Sequence, residues 1–210
     1  MIQSNGIIFV LSAPSGTGKT TICRMLKKKI PDLQFSISHT TRKPRDQENP
    51  GEDYHFITQK DFERKIERNE FLEWAKVFNH YYGTTFNSVD YHRQNGENII
   101  IEIDVQGAKS LKKLNYEAVF IFMLPPSLKE LETRLIKRGS ESENIIRDRM
   151  ETSKNEVAQL TLYDYILTNF DAEETTNNLI SIIKAEQFRK KRYLPTSPDI
   201  KTLINGEENN

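Results

Sequence analysis

The sequence predicts an α/β fold with three layers, in which a parallel sheet of about five strands lies between two layers of helices. An inserted α+β subdomain and a helical lid complete the predicted fold. Apolar runs alternate with helical patterns early and late in the chain, and an aromatic-rich block interrupts this alternation in the middle. A small-residue turn follows the first apolar run, at the sheet edge where ligands of such folds bind.

The strands are predicted from short apolar runs that are bounded by polar or turn residues. The runs that begin at Ile7, Asn98 and Ala118 are the strongest and read as buried strands. The predicted strands are 7–12, 35–38, 54–57, 71–78, 81–85, 98–104, 118–124 and 165–167. The polar stretch 39–53, which contains Asn49-Pro50-Gly51, is predicted to be a loop.

The helices are predicted from apolar residues that recur on one face. Cys23, Leu26 and Ile30 share a face in the first helix, while Ser127 and Glu130 form a capping box that begins another. The predicted helices are 21–30, 60–69, 106–114, a helix from Ser127 that is broken at Gly139, 143–160 and 173–192.

These elements predict one α/β domain over residues 5–192, with a core of 5–38 and 96–192. The predicted insertion is 39–95, the lid is about 134–152 within the core, and 193–210 form a polar C-terminal tail.

The composition disfavours several classes of function. The 210 residues include 30 basic and 30 acidic residues, so the zero net charge does not favour nucleic acid or an acidic membrane surface as partner. No apolar run approaches the roughly 18 residues of a membrane span, and the first residues lack the features of a signal peptide. One cysteine excludes an internal disulfide, and we expect a cytoplasmic enzyme.

Residues 13–20 read APSGTGKT between a predicted strand and a predicted helix, which is the context of a phosphate-binding P-loop. Backbone N–H groups of the turn and the positive end of the helix can surround an anion. Lys19 can reach the β- and γ-phosphates of a nucleotide, and the Thr20 hydroxyl can bind Mg²⁺. Ala13 replaces the usual first glycine, and an ordinary strand-to-helix turn is the alternative. The motif indicates a P-loop version of the three-layer fold.

Asp104 ends the predicted strand 98–104 and has two possible roles, ordering Mg²⁺ or capping the next helix. With Gly107 it also matches the D-x-x-G pattern of GTPases. That class is disfavoured because the chain has no N-K-x-D sequence to read guanine.

Four arginines, Arg134, Arg138, Arg147 and Arg149, flank the break at Gly139. Guanidinium groups stabilise the charge of a phosphoryl group in transfer, so this segment is predicted to be a closing lid. The alternative is a solvated helix face with ion pairs to nearby glutamates.

The middle block supplies a candidate second-substrate site. Arg42, Arg45 and Tyr54 can hold a phosphate that the acceptor already carries. Glu73, near Trp74, can accept two N–H bonds from guanine, which has donors that adenine lacks. A surface glutamate is the alternative for Glu73.

Over residues 6–192 the chain resembles the guanylate kinase family. The resemblance depends on APSGTGKT, S-x-T-T-R-x-P-R, G-x-D-Y-x-F, N-E-F-x-E-W-A, Y-Y-G-T, I-D-x-Q-G and R-L-x-x-R-G, which follow one another in order. It implies transfer of the γ-phosphoryl group of ATP to GMP, with Mg²⁺ as cofactor, and it extends to dGMP as acceptor. A non-catalytic interaction module and a kinase for another nucleoside monophosphate are the alternatives, and monomer or homo-oligomer stays open.

The resemblance also implies roles for individual residues. The ATP-binding residues would be Ala13, Pro14, Ser15, Gly16, Thr17, Gly18, Lys19, Thr20, Arg134 and Asn169. The GMP-binding residues would be Ser38, Arg42, Arg45, Tyr54, Glu73, Tyr82, Thr84 and Asp104, with guanine read by Glu73 and Asp104. The catalytic residues would be Lys19, Arg42, Arg138 and Arg149, and Thr20 would bind Mg²⁺. His39 is expected to be a satisfied loop histidine.

Overall fold

A computed structural model describes residues 5–46, 48–77, 79–137, 143–192, 197 and 200. The strands in this part of the chain are β1 Ile8–Ser12, β2 Gln34–Phe35, β3 His39–Thr40, β4 His55–Phe56, β5 Phe71–Val77, β6 His80–Thr85, β7 Ile99–Glu102, β8 Val119–Leu124 and β9 Tyr165–Thr168. The helices are α1 Lys19–Lys29, α2 Gln59–Glu67, α3 Phe86–Gln94, α4 Val105–Lys113, α5 Leu128–Lys137, α6 Glu143–Val157 and α7 Ala172–Gln187, with a 3₁₀ turn at Leu160–Leu162.

The main sheet has five parallel strands in the order β2-β7-β1-β8-β9. Strand β1 is central and completely buried, with Val10 paired to Ile101 on one side and Phe120 on the other. The chain moves to one side of β1 for β2 and to the other side for β8. The loop after β1 therefore lies where the strand order reverses, at the carboxyl edge of the sheet.

Helices cover both faces of this sheet. On one face Phe9 and Leu11 pack in a cluster with Leu26 of α1 and Leu179 of α7. On the other face Ile8 and Val10 join residues of α3 and α4, namely Val89, Ala108 and Leu111. The alternation along β1 produces the two clusters because successive side chains of a strand point to opposite faces. The arrangement confirms the predicted α/β class.

A second sheet, in the order β4-β3-β6-β5, forms between His39 and Thr85. Strands β5 and β6 are an antiparallel hairpin, and their register shifts between Phe71 and Glu73. The predicted loop over 39–53 is wrong at its start, because β3 pairs there with β4 and β6. No described helix is long and apolar enough to cross a membrane.

Other boundaries differ from the prediction for local reasons. Helix α3 was not predicted, since among its residues only Val89 is buried; the Thr85 hydroxyl caps it by accepting the N–H of Ser88. Helix α7 ends at Gln187 rather than at 192, and α6 ends at Val157 rather than at 160. The predicted polar tail lies outside the described residues except for residues 197 and 200.

Candidate active site

The predicted P-loop forms a tight turn between β1 and α1. Gly16 and Gly18 have φ values of 97° and 105°, in the left-handed region that favours glycine. Helix α1 begins at Lys19, and its N-cap residue, Gly18, has no side chain that could bond the first turn. The first-turn N–H groups and the positive end of the helix are therefore directed at the turn, as anion binding requires.

Two side chains from distant elements hold this loop in place. Asn169, which follows β9, donates from Nδ2 to the carbonyl oxygen of Thr17 at 2.7 Å. Arg134 of α5 donates to the same oxygen at 3.2 Å. Helix α5 also packs on the loop, because a Cβ atom at Gly16 would lie 3.1 Å from both Leu131 and Leu135. The loop is therefore fixed from β9 and from α5.

Helix α6 brings a second arginine to the loop. Arg149 donates from Nη1 to the Ser15 hydroxyl at 2.7 Å, whereas Arg147 on the same helix is exposed. Arg138, another of the four predicted lid arginines, lies outside the described residues. The predicted lid segment thus brings two guanidinium groups to the P-loop, those of Arg134 and Arg149.

Glu73 lies in β5 at the register shift of the hairpin and is only 6% exposed. A bulge of this kind redirects a side chain beside a functional site. Its Oε1 accepts the backbone N–H of Thr84 at 3.0 Å, and the Thr84 hydroxyl lies 3.1 Å from the Ser38 hydroxyl. Burial, with the charge of nearby Asp104, raises the pKa of Glu73 to about 7.

Asp104 caps α4, with Oδ1 accepting the N–H of Gly107 at 2.8 Å. Burial raises the pKa of Asp104 above its usual range. Gly107 also contacts the carboxylate of Glu73, because a Cβ atom there would lie 2.4 Å from Oε2. The two carboxylates therefore lie on either side of one glycine. Helix capping, one of the two roles predicted for Asp104, is confirmed.

Arg42 and Arg45 differ in their surroundings. The Nε of Arg42 donates to the Tyr82 hydroxyl at 3.2 Å, and its Cζ lies 5.5 Å from the centre of the Tyr54 ring. The Arg45 side chain is 62% exposed. Both arginines have a charged neighbour, Glu48, that the sequence analysis did not single out.

One cavity of about 270 Å³ joins these parts. The residues from the sequence analysis that line it are Ala13, Pro14, Ser15, Gly16, Gly18, Lys19, Thr20, Ser38, Arg45, Tyr54, Glu73, Tyr82, Asp104 and Arg149. The other described candidates, Thr17, Arg42, Thr84, Arg134 and Asn169, lie outside this lining. Asn169 and Arg134 contact the loop itself, and Thr84 contacts Glu73 and Ser38.

Comparison with known proteins identifies the family, since the guanylate kinase model matches residues 6–186. The chain belongs to the guanylate kinase family. It is 46% identical to the guanylate kinase of Myxococcus xanthus over 188 residues, 89% of this chain and 90% of the relative. It is 45% identical to that of Carboxydothermus hydrogenoformans over 187 residues, 89% and 92% of the two chains. The crystal structure of guanylate kinase from Anaplasma phagocytophilum matches with a TM-score of 0.76 at 33% identity, covering 91% of this chain and 92% of that one.

The structure adds residues that sequence reasoning missed in this guanylate kinase family member. Glu156 of α6 lines the cavity with Ser153, and burial with the charge of Asp104 raises its pKa to about 7. The signal was present, because Glu156 follows Arg149 by seven residues, two helical turns, on the same face. Gly107 appeared in the sequence analysis only as part of the D-x-x-G and I-D-x-Q-G patterns, and its contact with Glu73 is seen only in the structure.

The expectation for His39 was also wrong. His39 is not satisfied, because its Nδ1 is buried without a hydrogen-bond partner among the described residues. The centre of its ring lies 4.7 Å from the centre of the His55 ring. Burial, with the charges of His55 and Lys65, lowers the pKa of His39 to about 4, so the ring is neutral near pH 7.

Proposed function

We propose that this protein transfers the γ-phosphoryl group of ATP to GMP, giving ADP and GDP. The observation that carries the proposal is that the P-loop, on one side, and Glu73 and Asp104, on the other, line the same cavity. Membership of the guanylate kinase family supports it. We place the reaction in purine nucleotide metabolism and the recycling of GMP, in the cytoplasm.

The donor side would hold the phosphates of ATP. Residues 13–20 supply backbone N–H groups and the Lys19 ammonium, and Arg149 approaches from α6. Arg134 and Asn169 contribute by holding the Thr17 carbonyl, which keeps the loop in its binding conformation. Arg138 is proposed as a second lid arginine.

The acceptor side would hold GMP by both ends. Ser38, Arg45, Tyr54 and Tyr82 line the cavity where the phosphate would bind, with the charge of Arg42 behind them. An ionised Glu73 can accept hydrogen bonds from N1–H and the 2-amino group of guanine, and Asp104 lies beside it. The backbone N–H of Thr84 donates to the Glu73 carboxylate and holds it in place. Adenine offers no such pair of donors, and dGMP keeps both.

The chemistry needs positioning more than a strong base. An anionic oxygen of the GMP phosphate attacks the γ-phosphorus, the bond to the β–γ bridging oxygen breaks, and ADP leaves. The acceptor oxygen is already deprotonated near pH 7, so no side chain has to remove a proton. Cationic groups stabilise the charge of the transferring group, and we assign this to Lys19, Arg42, Arg138 and Arg149.

Mg²⁺ fits the donor set of the cavity. Thr20 and Asp104 both line it, and hydroxyl and carboxylate oxygens are ligands that Mg²⁺ accepts. In the described part of the chain no three His, Cys, Asp or Glu side chains could hold a metal together, so nucleotide phosphates and water would supply the other ligands. When bound, Mg²⁺ neutralises charge on the β- and γ-phosphates.

We assign the acceptor site to the predicted insertion 39–95 and the closing motion to the lid at about 134–152. The second sheet lies within the first of these segments, and α6 reaches the P-loop from the second. Closure over two nucleotides would exclude water from the γ-phosphate and prevent its hydrolysis.

A coupled assay of ADP release tests the proposal. The purified chain with ATP and Mg²⁺ should release ADP rapidly with GMP, and much more slowly with AMP or dTMP at equal concentration. Release that is faster with AMP or dTMP would indicate a kinase for another acceptor. No release with any of the three would indicate a non-catalytic module.

A further inference from the structure

Glu48 faces the guanidinium group of Arg42 with both carboxylate oxygens. Nη1 donates to Oε2 at 2.8 Å, and Nη2 donates to Oε1 at 2.9 Å. Each side chain is only 14% exposed. A fork of two bonds between a guanidinium and a carboxylate, with little water around it, fixes the plane of the arginine as well as its charge.

The remaining contacts of Arg42 fix it further. Nε donates to the Tyr82 hydroxyl at 3.2 Å, and Nη1 donates to the Lys43 carbonyl at 2.6 Å. Among the described residues these four bonds use four of the five N–H donors of the guanidinium. Arg42 is therefore held in one orientation against Tyr82 and the ring of Tyr54.

Glu48 also holds the backbone that carries the second arginine. Its Oε2 accepts the N–H of Arg45 at 2.8 Å, while the Arg45 side chain stays 62% exposed, with Nη1 3.9 Å from Oε1. The carboxylate thus fixes Arg42 and leaves the Arg45 side chain at the cavity. Although burial opposes ionisation, the bonds from Arg42 and Arg45 hold the pKa of Glu48 below its usual range.

A carboxylate beside a phosphate site can either occupy the place of the phosphate or hold a cation that binds the phosphate, and the position of Glu48 distinguishes these two roles. It would occupy the place of the phosphate if it lay in the cavity. Of the described residues in this region, Arg45, Tyr54 and Tyr82 line the cavity, and Glu48 does not. Arg42 is not part of the lining either, so the carboxylate holds this arginine without lining the cavity.

We propose that Glu48 is a positioning residue for the acceptor phosphate, which keeps the Arg42 cation against Tyr82 and Tyr54 at the wall of the GMP site. This inference rests on the proposed function, because it needs GMP as the acceptor. Its effect passes through Arg42, so it should affect GMP and leave ATP unaffected.

Steady-state kinetics of Glu48→Gln with the full chain tests this role, since glutamine keeps the shape and loses the charge and one acceptor. The KM for GMP should rise about tenfold or more and the KM for ATP should stay close to wild type, while the melting temperature falls because the Arg42 cation loses its buried partner. Glu52→Gln is the matched control, an exposed glutamate in the same loop whose carboxylate accepts a hydrogen bond from the Asn49 side chain. It should leave all three quantities unchanged.

The same substitution in an Arg42→Ala background should raise the KM for GMP far less than in wild type, because the guanidinium that Glu48 holds is gone and the contacts with Arg45 remain. Glu48→Asp keeps the charge on a shorter side chain and should lie between wild type and Glu48→Gln; it carries the test if the glutamine variant does not fold. An unchanged or lower KM for GMP in these variants, or an equal rise without Arg42, would overturn the inference. A wild-type protein that leaves GMP unconverted would instead overturn the proposed function.

Discussion

The carboxylate of Glu73 lies so close to Gly107 that a Cβ atom on Gly107 would come within 2.4 Å of Glu73 Oε2. That distance is well inside van der Waals contact, so only glycine leaves room for the carboxylate in this position. The N–H of Gly107 also donates to Asp104. Gly107 therefore sets the spacing between the two carboxylates that we propose read guanine.

Gly107→Ala should raise the KM for GMP by about tenfold to a hundredfold, because the added methyl group displaces the Glu73 carboxylate. Alanine is about 1 kcal/mol better than glycine inside a helix, which offsets part of the clash in the folded state. The melting temperature should therefore change little, although the KM for GMP rises. Lys109→Ala, at an exposed position of the same helix, is the control and should behave as wild type. An unchanged KM for GMP in Gly107→Ala would show that Glu73 does not contact the base.

The pKa of Glu73, raised to about 7, predicts a pH dependence of GMP binding. Only the ionised carboxylate accepts both guanine donors, so kcat/KM for GMP should fall as the pH drops below about 7, by up to tenfold per unit. The phosphate of GMP also binds a proton, with a pKa near 6. Glu73→Gln separates the two effects, because it should lower kcat/KM for GMP and remove the component near pH 7.

The raised pKa of Glu73 has the opposite effect on stability: low pH should weaken GMP binding but favour the folded state. The pKa of Glu73 is raised on folding from 4.5 to about 7, so the folded state binds the proton more tightly than the unfolded state. Its contribution to the free energy of unfolding is complete below pH 4.5 and is lost as the pH rises through about 7. Denaturant titrations of wild type and Glu73→Gln across this range check the sign: a contribution that grows with pH would contradict the raised pKa.

Arg149→Ala should lower kcat by about a hundredfold or more, since this guanidinium reaches the P-loop at Ser15, where we propose that the γ-phosphoryl group is transferred. The KM for GMP should change little, because the proposed acceptor site lies on the other side of the cavity. Arg147→Ala is the matched control, an exposed arginine two positions earlier on the same helix. Equal kcat values in the two variants would contradict a role of the lid in phosphoryl transfer. Arg138→Ala is expected to behave like Arg149→Ala.

Asn169→Ala should weaken ATP binding and leave GMP binding nearly unchanged. The buried Asn169 amide bridges the Thr17 carbonyl and the Thr175 hydroxyl, and its loss leaves the loop carbonyl with Arg134 as its one side-chain partner among the described residues. The cost of such a lost bond is about 1–3 kcal/mol, which corresponds to a rise of about fivefold or more in the Kd for ATP. Calorimetry of ATP and GMP binding measures both effects, and Asn177→Ala, at an exposed position of α7, is the control. A loss confined to GMP would contradict this role.

Much of the fold was predictable because its signals are local. The buried runs of β1, β7 and β8 contain continuous apolar residues, and the P-loop lies at the end of one of them. Strand ends of a parallel sheet share one edge, so the motifs that follow them meet in space. This is why most residues predicted to bind nucleotide line one cavity.

The remaining features depend on tertiary structure. Helix α3 buries little and is defined by its cap at Thr85, which lies at the end of a strand. The bulge that turns Glu73 inward arises from the pairing of β5 with β6, which no single segment encodes. The contact between Glu48 and Arg42 follows from how the loop after β3 folds back on itself. Each requires the three-dimensional arrangement before its importance can be recognised.

Phosphorus NMR of the purified chain with ATP, GMP and Mg²⁺ tests the central claim most directly, because it follows the phosphoryl group itself. The resonances of GMP and of the γ-phosphate of ATP should disappear together, and those of ADP and GDP should appear in equal amounts. Inorganic phosphate in place of GDP, with the GMP signal unchanged, would contradict transfer to GMP.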